Sequence, residues 1–432
     1  MDIRHIAVKE GITLHYIPTN RFTSNQYSVH FVMPIEEKNA ALYNLLSKVV
    51  KKGSARFPSQ EAIAKRSEEL YSASIMSAVT KVGESITFSL FSSALDNRYA
   101  FDGINISEGT SCLLYSLLNE PLTEETEEGM AFVAQIVARE KETLLDTIRA
   151  QINNKSAYAL KRCRDVMCEG EPYRIPLCGS IEDVEAITPR SLYTAYLDLI
   201  RAATVEVYYV GSEDETLVFE RTKTLLQGLL PRKKSRFEPV IVASAEKVKR
   251  VAECVKASQG KLVMGFRTAC TAKDEDSAAL RVFDAVFGSS PVSKLFMNVR
   301  EKRSLCYYCS SSVDFDKGIL FVSAGIENKN AKATEHEILA QLSEICSGHI
   351  SENELLCAKE SIYDYLRSFE DSAASMERWS LVHTLRESTV TAQALIEQVS
   401  RVTLSDVVRV AGRITLDTVY FLEGKDGETH DV

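Results

Sequence analysis

The chain has 432 residues, 45% of them hydrophobic and 26% charged, a globular composition too long for one ordinary core. A formal net charge of −9 gives a nucleic-acid role no bulk electrostatic support. No stretch approaches the ~18–20 apolar residues of a membrane helix, the N-terminal "MDIRHIAVKEGITLHYIP" lacks a signal-peptide core, and ten scattered cysteines fit free thiols in a reducing cytoplasm.

In chain order, "YSVHFVM" (Tyr27 to Met33) alternates as a strand. A helix is predicted from about Glu36 to Lys52, closed by Gly53, and a second runs through Tyr71. In the first helix Ala41, Leu42, Leu45, Leu46, Val49 and Val50 form one apolar stripe. Asn44, Ser47 and Lys48 fall on the other face and read as polar surface. Strands follow at "SIMSAVTK" and "ESITFSLFSS", then a long helical stretch from about Glu124 to Tyr158. Glu140 stands there among Arg139, Lys141 and Glu142 and reads as solvated. Thr188 with Pro189 is an N-cap followed by an N1 proline. The segment "LLPRKKSRFEPVIVASAEK" reads as a solvated linker, its basic cluster running from Arg232 to Arg236.

After the linker the order repeats. "GKLVMGFRT" is a strand, a helix covers about Asp276 to Phe287, and Gly288-Ser289-Ser290 leads to a second helix ending near Arg300. Strands are predicted at "LCYYCSSSVDF" and "GILFVSAGI", and capping boxes at Ser351/Glu354 and Thr403/Asp406. Cys306 and Cys309, three apart on a strand, should point to opposite faces, which argues against redox or metal use. Gly53 and Gly288 are about 235 residues apart, and their neighbours keep that offset, the mark of duplicated domains rather than a short-period solenoid. The boundaries expected are 1–228, a linker at 229–246, and 247–432. Each half is expected to be α+β, a mostly antiparallel sheet packed with helices.

Two motifs carry a family resemblance. "KKGSARFPSQEAIAKRSEELYSAS" and, more specifically, "GSSPVSKLFMNVREKRSLCYYCSSS" resemble stretches of the pitrilysin/insulinase-type zinc peptidases, the inverzincins, which include the mitochondrial processing peptidases. The resemblance covers essentially the whole chain and implies two duplicated halves of the mitochondrial-processing-peptidase-like metallohydrolase fold, facing across a cleft. In that family the first helix carries H-x-x-E-H, two zinc-binding histidines one turn apart with the general-base glutamate between them, and a distant glutamate is the third ligand. Counting back from Gly53, this chain has Asn44, Ser47 and Lys48 at those three positions. An amide is a poor zinc ligand, a serine hydroxyl is no general base at neutral pH, and an ammonium repels the metal. Glu140 remains as the third-ligand candidate, 92 residues after Lys48, a longer interval than the family's. The seven histidines do not repair the site: "HEILA" at His336 ends in Ala340, and His30 reads as a structural strand histidine.

The family also uses an arginine and, seven residues later, a tyrosine to hold substrate carbonyls. "REKRSLCY" gives Arg300 and Tyr307 at that spacing. The resemblance therefore implies a non-catalytic, cytoplasmic subunit that helps bind a peptide or protein substrate, with no metal of its own. Its partner would be a zinc-bearing homologue in a heterodimer, or a second copy of itself. "EPYRIPLCGSIEDVEAITPRSLYTAYL" further resembles zinc-less bacterial members associated with aminopentanol modification of elongation factor P. The alternatives are a non-hydrolytic peptide-binding or scaffold protein, one use of which would be translation-factor modification, and a zinc endopeptidase acting alone.

Overall fold

The strand patterns of the first half assemble into one sheet in the computed structural model, which describes residues 1–101, 103–234 and 238–425. The strands are β1 (Arg4–Lys9), β2 (Ile12–Pro18), β3 (Ser24–Pro34), β4 (Ser74–Val82) and β5 (Ser85–Leu95), then a separate hairpin β6 (Thr123–Thr126) and β7 (Gly129–Phe132), then β8 (Thr204–Gly211). The six-stranded order is β1-β2-β8-β3-β5-β4. The second sheet is built from β9 (Lys249–Lys256), β10 (Gly260–Arg267), β11 (Cys306–Asp314), β12 (Ile319–Ile326) and β13 (Thr415–Lys425), in the order β11-β12-β10-β13-β9.

The duplication is visible in the strand pairing. In each sheet the last strand inserts beside an early one in parallel and beside the next in antiparallel register. β8 lies between β2 and β3, and β13 between β9 and β10. β4 and β11 hold equivalent places at the end of each sheet.

β8 is buried along its whole length. Val205, Val207 and Tyr209 point to one face, where Ile12, Leu14, Val29 and Phe31 form the core under the helices Glu37–Val49 and Pro189–Ala202. Glu206 and Tyr208 point to the other face, with His15 and His30. That polar face is buried too, and each of its groups needs a partner. Glu377, on the helix Ala373–Leu385, supplies part of it. Its carboxylate accepts from Gln26, from Ser28 Oγ at 2.8 Å and from His30 Nε2 at 2.8 Å, while His30 Nδ1 meets Ser89 Oγ at 2.7 Å. His30 is thus a structural histidine.

The two compact units are discontinuous in sequence. One comprises Met1–Arg149, Ile175–Glu238 and Phe369–Val382; the other comprises Ala150–Arg174, Pro239–Ser368 and His383–Val432. The step from Glu238 to Pro239 lies inside 229–246, and two helical segments cross over in addition. The helix Lys155–Met167 packs on the second sheet, where Cys163 and Met167 meet Val263 and Tyr420. A Cβ on Gly265 would lie 2.6 Å from Met167 Sδ, so a larger residue there would push the Met167 side chain out of this packing. The residues just after this helix bring buried charge. Arg267 Nε donates to Asp417 at 2.8 Å, Arg267 Nη2 to Glu171 at 2.7 Å, and the Lys317 ammonium lies 2.8 Å from Glu171.

Three expectations need correction. The stretch from Glu124 to Tyr158 is not one helix: Gly129, at φ 103°, turns the β6–β7 hairpin, and helices Ala134–Ala150 and Lys155–Met167 follow, the second capped by Asn154. The strands β1, β2 and β9 and the helix Ile106–Asn119 had no counterpart in the sequence reading. The basic cluster is only partly solvated where it is described: Lys233 and Lys234 are exposed, but Arg232 is not. Arg232 is buried and donates to Ala203 O at 3.1 Å, and Lys234 reaches the buried Glu206 at 2.5 Å; Arg236 and the rest of 235–237 lie outside the described residues, as does His430. No described helix is long and apolar enough to cross a membrane.

Replacing Glu377 by alanine strands the buried donors of Ser28, His30 and Gln26. Urea unfolding is expected to show a loss of about 2–4 kcal/mol. Glu370→Ala, at a more exposed pair with the N-terminal amine, should cost under about 1 kcal/mol.

Candidate functional site

The helix Glu37–Val49 opens with Asn39 Oδ1 accepting from the Glu36 N–H at 3.0 Å and continues as a tighter turn, Val50–Lys52. Its apolar stripe is buried as expected, apart from a partly exposed Leu42. Its other face is not open polar surface. Ser47 is 7% exposed; its hydroxyl donates to Asn44 O at 2.7 Å, and its carbonyl accepts from Ser77 Oγ on β4. Asn44 and Lys48 are partly buried.

Glu140, expected to be solvated, is 6% exposed, and its Oε1 lies 2.9 Å from Lys52 Nζ. The sequence carried a signal for this burial. Val137 and Leu144, three residues before and four after, are both buried, so Glu140 sits on the inward stripe of its helix despite its charged neighbours. The structure thus brings Glu140 to the helix end that holds Lys48, Lys51 and Lys52. Burial, aided by the charges of Lys52 and Lys48, holds the Lys51 ammonium below the usual lysine range, with Glu140 opposing.

This donor set does not fit zinc. The one carboxylate is already held by an ammonium, and cations crowd the space beside it. Among the described residues no group of three or more His, Cys, Asp or Glu could hold a metal ion.

The second motif lies in the other unit. A Cβ on Gly288 would fall 2.7 Å from Leu295 Cδ1 and from Ser311 N, so the turn before the helix Leu295–Lys302 requires glycine. Arg300 lies on that helix with its side chain 41% exposed, its guanidinium over the Phe296 ring at 4.7 Å and its Nε 3.4 Å from Glu301. Ser304, at φ 52°, turns the chain into β11. Tyr307 is 53% exposed at the start of that strand. Neither side chain is tied into the interior.

The cysteine expectation is corrected at this point. The β11–β12 register slips between Cys306 and Tyr308, so Tyr307 is the extra residue of a bulge. The slip cancels simple alternation and lets the Cys306 and Cys309 thiols interact. The hydrogen bond from Cys309 draws the Cys306 thiol below its usual range against burial, with help from the Arg300 charge, and pushes the Cys309 thiol up. All ten cysteines are free.

If Lys52 is the cation for Glu140, Lys52→Met should destabilise the chain by about 2–4 kcal/mol in urea unfolding, because a buried carboxylate is left alone. The double variant Lys52→Met/Glu140→Leu should recover most of that loss. A double variant no more stable than Lys52→Met would contradict the pairing.

Comparison with known proteins agrees with this geometry. Residues 186–362 match the family model described as the peptidase M16 inactive domain. A Bacillus subtilis protein named "Probable inactive metalloprotease YmfF" is 31% identical over 96% of this chain and 97% of its own length. The crystal structure of a conserved protein from Enterococcus faecalis is similar with a TM-score of 0.91 and 27% identity, covering 99% of this chain and 100% of that one. That of a peptidase M16 inactive domain from Pseudomonas fluorescens has a TM-score of 0.78 at 15% identity, covering 99% and 100%. The chain belongs to the M16 family of zinc-peptidase-like proteins, the pitrilysin/insulinase type, and is similar to its inactive members.

Proposed function

We propose that the chain is a non-catalytic subunit that holds extended peptide for a zinc-bearing homologue, and that it carries no zinc itself. The observation that supports this best is the contrast between the two motifs. The carboxylate expected to bind metal is buried against Lys52, whereas Arg300 and Tyr307 stay exposed with donors to spare. A guanidinium offers a fork of N–H donors to peptide carbonyls, and a phenol can donate to an oxygen that gains negative charge.

The sheets offer a second means of holding peptide. β4 and β11 are terminal strands whose outer backbone groups carry no further strand among the described residues. An extended peptide can add to such an edge through main-chain hydrogen bonds. β4 lies against the Glu37–Val49 helix through Ser77, and β11 begins beside Tyr307. The free thiols suit a reducing cytoplasm.

The purified chain alone should cleave no peptide. Mixed with a homologue that carries H-x-x-E-H, it should support proteolysis, and Arg300→Ala or Tyr307→Phe should lower that rate by about ten- to a thousandfold. Full activity of the mixture with both residues replaced would remove their assigned roles. A mixture that binds peptides yet cleaves none across a library would favour a binding protein without hydrolysis.

A further inference from the structure

Glu140 takes one ammonium, and the same helix end carries two more. Lys48, Lys51 and Lys52 are spaced i, i+3 and i+4 and so share one face of the last turns. Lys48 and Lys51 are partly buried, and neither makes a hydrogen bond or ion pair among the described residues. The carbonyl end of a helix favours nearby cations, which accounts for positive charge at this position. It leaves the ammonium donors of Lys48 and Lys51 open. Partly buried donors without partners lose hydration and regain it only by meeting an acceptor.

The surroundings say what that acceptor can be. Lys52 pairs with Glu140, and the Lys48 and Lys51 charges repel one another beside that pair, in a chain whose overall charge is −9. Ser77, in the middle of β4, donates to the carbonyl of Ser47, the residue before Lys48. The open edge strand and the open ammoniums therefore lie at one helix end.

We propose that this place is an anion-binding site, in which Lys48 and Lys51 grip a carboxylate of an acidic peptide lying extended along β4. The inference rests on the peptide-binding reading above and names the class of peptide. The position that binds a cation in the active family would here have been converted to bind an anion. Two charge-assisted contacts that are partly withdrawn from water should give a clear preference over a neutral peptide.

The test uses the full chain and fluorescence anisotropy. One labelled decapeptide alternates glutamate with threonine, and its counterpart alternates glutamine with threonine. The acidic peptide should bind at least about tenfold more tightly at low salt, with the difference shrinking as salt is added. The double variant Lys48→Gln/Lys51→Gln should lose the preference, keep its affinity for the neutral peptide and keep its thermal midpoint. Equal affinity of the two peptides for the unmodified chain would overturn the acidic preference and leave peptide binding standing. Binding of neither peptide would overturn both, even if inorganic phosphate binds. A preference that survives in the double variant would overturn the assignment to these lysines.

Discussion

A carboxylate buried in a protein needs a cation, and Lys52 meets that need for Glu140 at the end of the helix Glu37–Val49. With the carboxylate held this way, the helix Glu37–Val49 has no requirement for histidines one turn apart. Ser47 turns its hydroxyl back to the Asn44 carbonyl of its own helix. The excess of lysines follows the same logic. Once one ammonium holds the carboxylate, further cations add repulsion among themselves and attraction for an outside anion. Burial first, and then the charges of Lys52 and Lys48, hold the Lys51 ammonium below its usual range.

The two sheets are also held by features away from this helix end. Each sheet is locked by a late strand inserted among early ones, a pairing that fixes the register of its neighbours. Each sheet also has a buried polar cluster that involves a segment from the opposite half of the sequence. Glu377 takes three donors from β3, and Arg267 spans Glu171 and Asp417. Such clusters add little to net stability compared with apolar packing, but breaking one member leaves the rest unpaired. They penalise any arrangement in which the crossing helices fail to dock. The chemistry can therefore change at a few side chains while the architecture stays.

What was legible in the sequence is what local spacing controls. The apolar stripe from Ala41 to Val50, the capping boxes at Ser351 and Thr403 and the strand alternation in both halves follow from period and side-chain chemistry. What was not legible depends on distant partners. Arg232 looked like surface until Ala203 gave it an acceptor, and Lys234 until Glu206 gave it a counter-charge. Glu140 was misread because its charged neighbours outweighed its place between Val137 and Leu144. The two thiols of the C-x-x-C were assigned to opposite faces by a rule that holds for regular strands, and the bulge at Tyr307 breaks it. The crossing of Lys155–Met167 and of most of Ala373–Leu385 between units leaves no mark in a linear pattern, because either helix could cover either sheet on amphipathicity alone.

The central claim is that a lysine ammonium, not a metal ion, balances Glu140. Zinc titration of the full chain by calorimetry, with elemental analysis of the purified protein, tests it directly. The account predicts no stoichiometric zinc in the protein and no binding tighter than that of a Glu140→Gln variant. One tightly bound zinc per chain, removed by chelator and lost in Glu140→Gln, would contradict it.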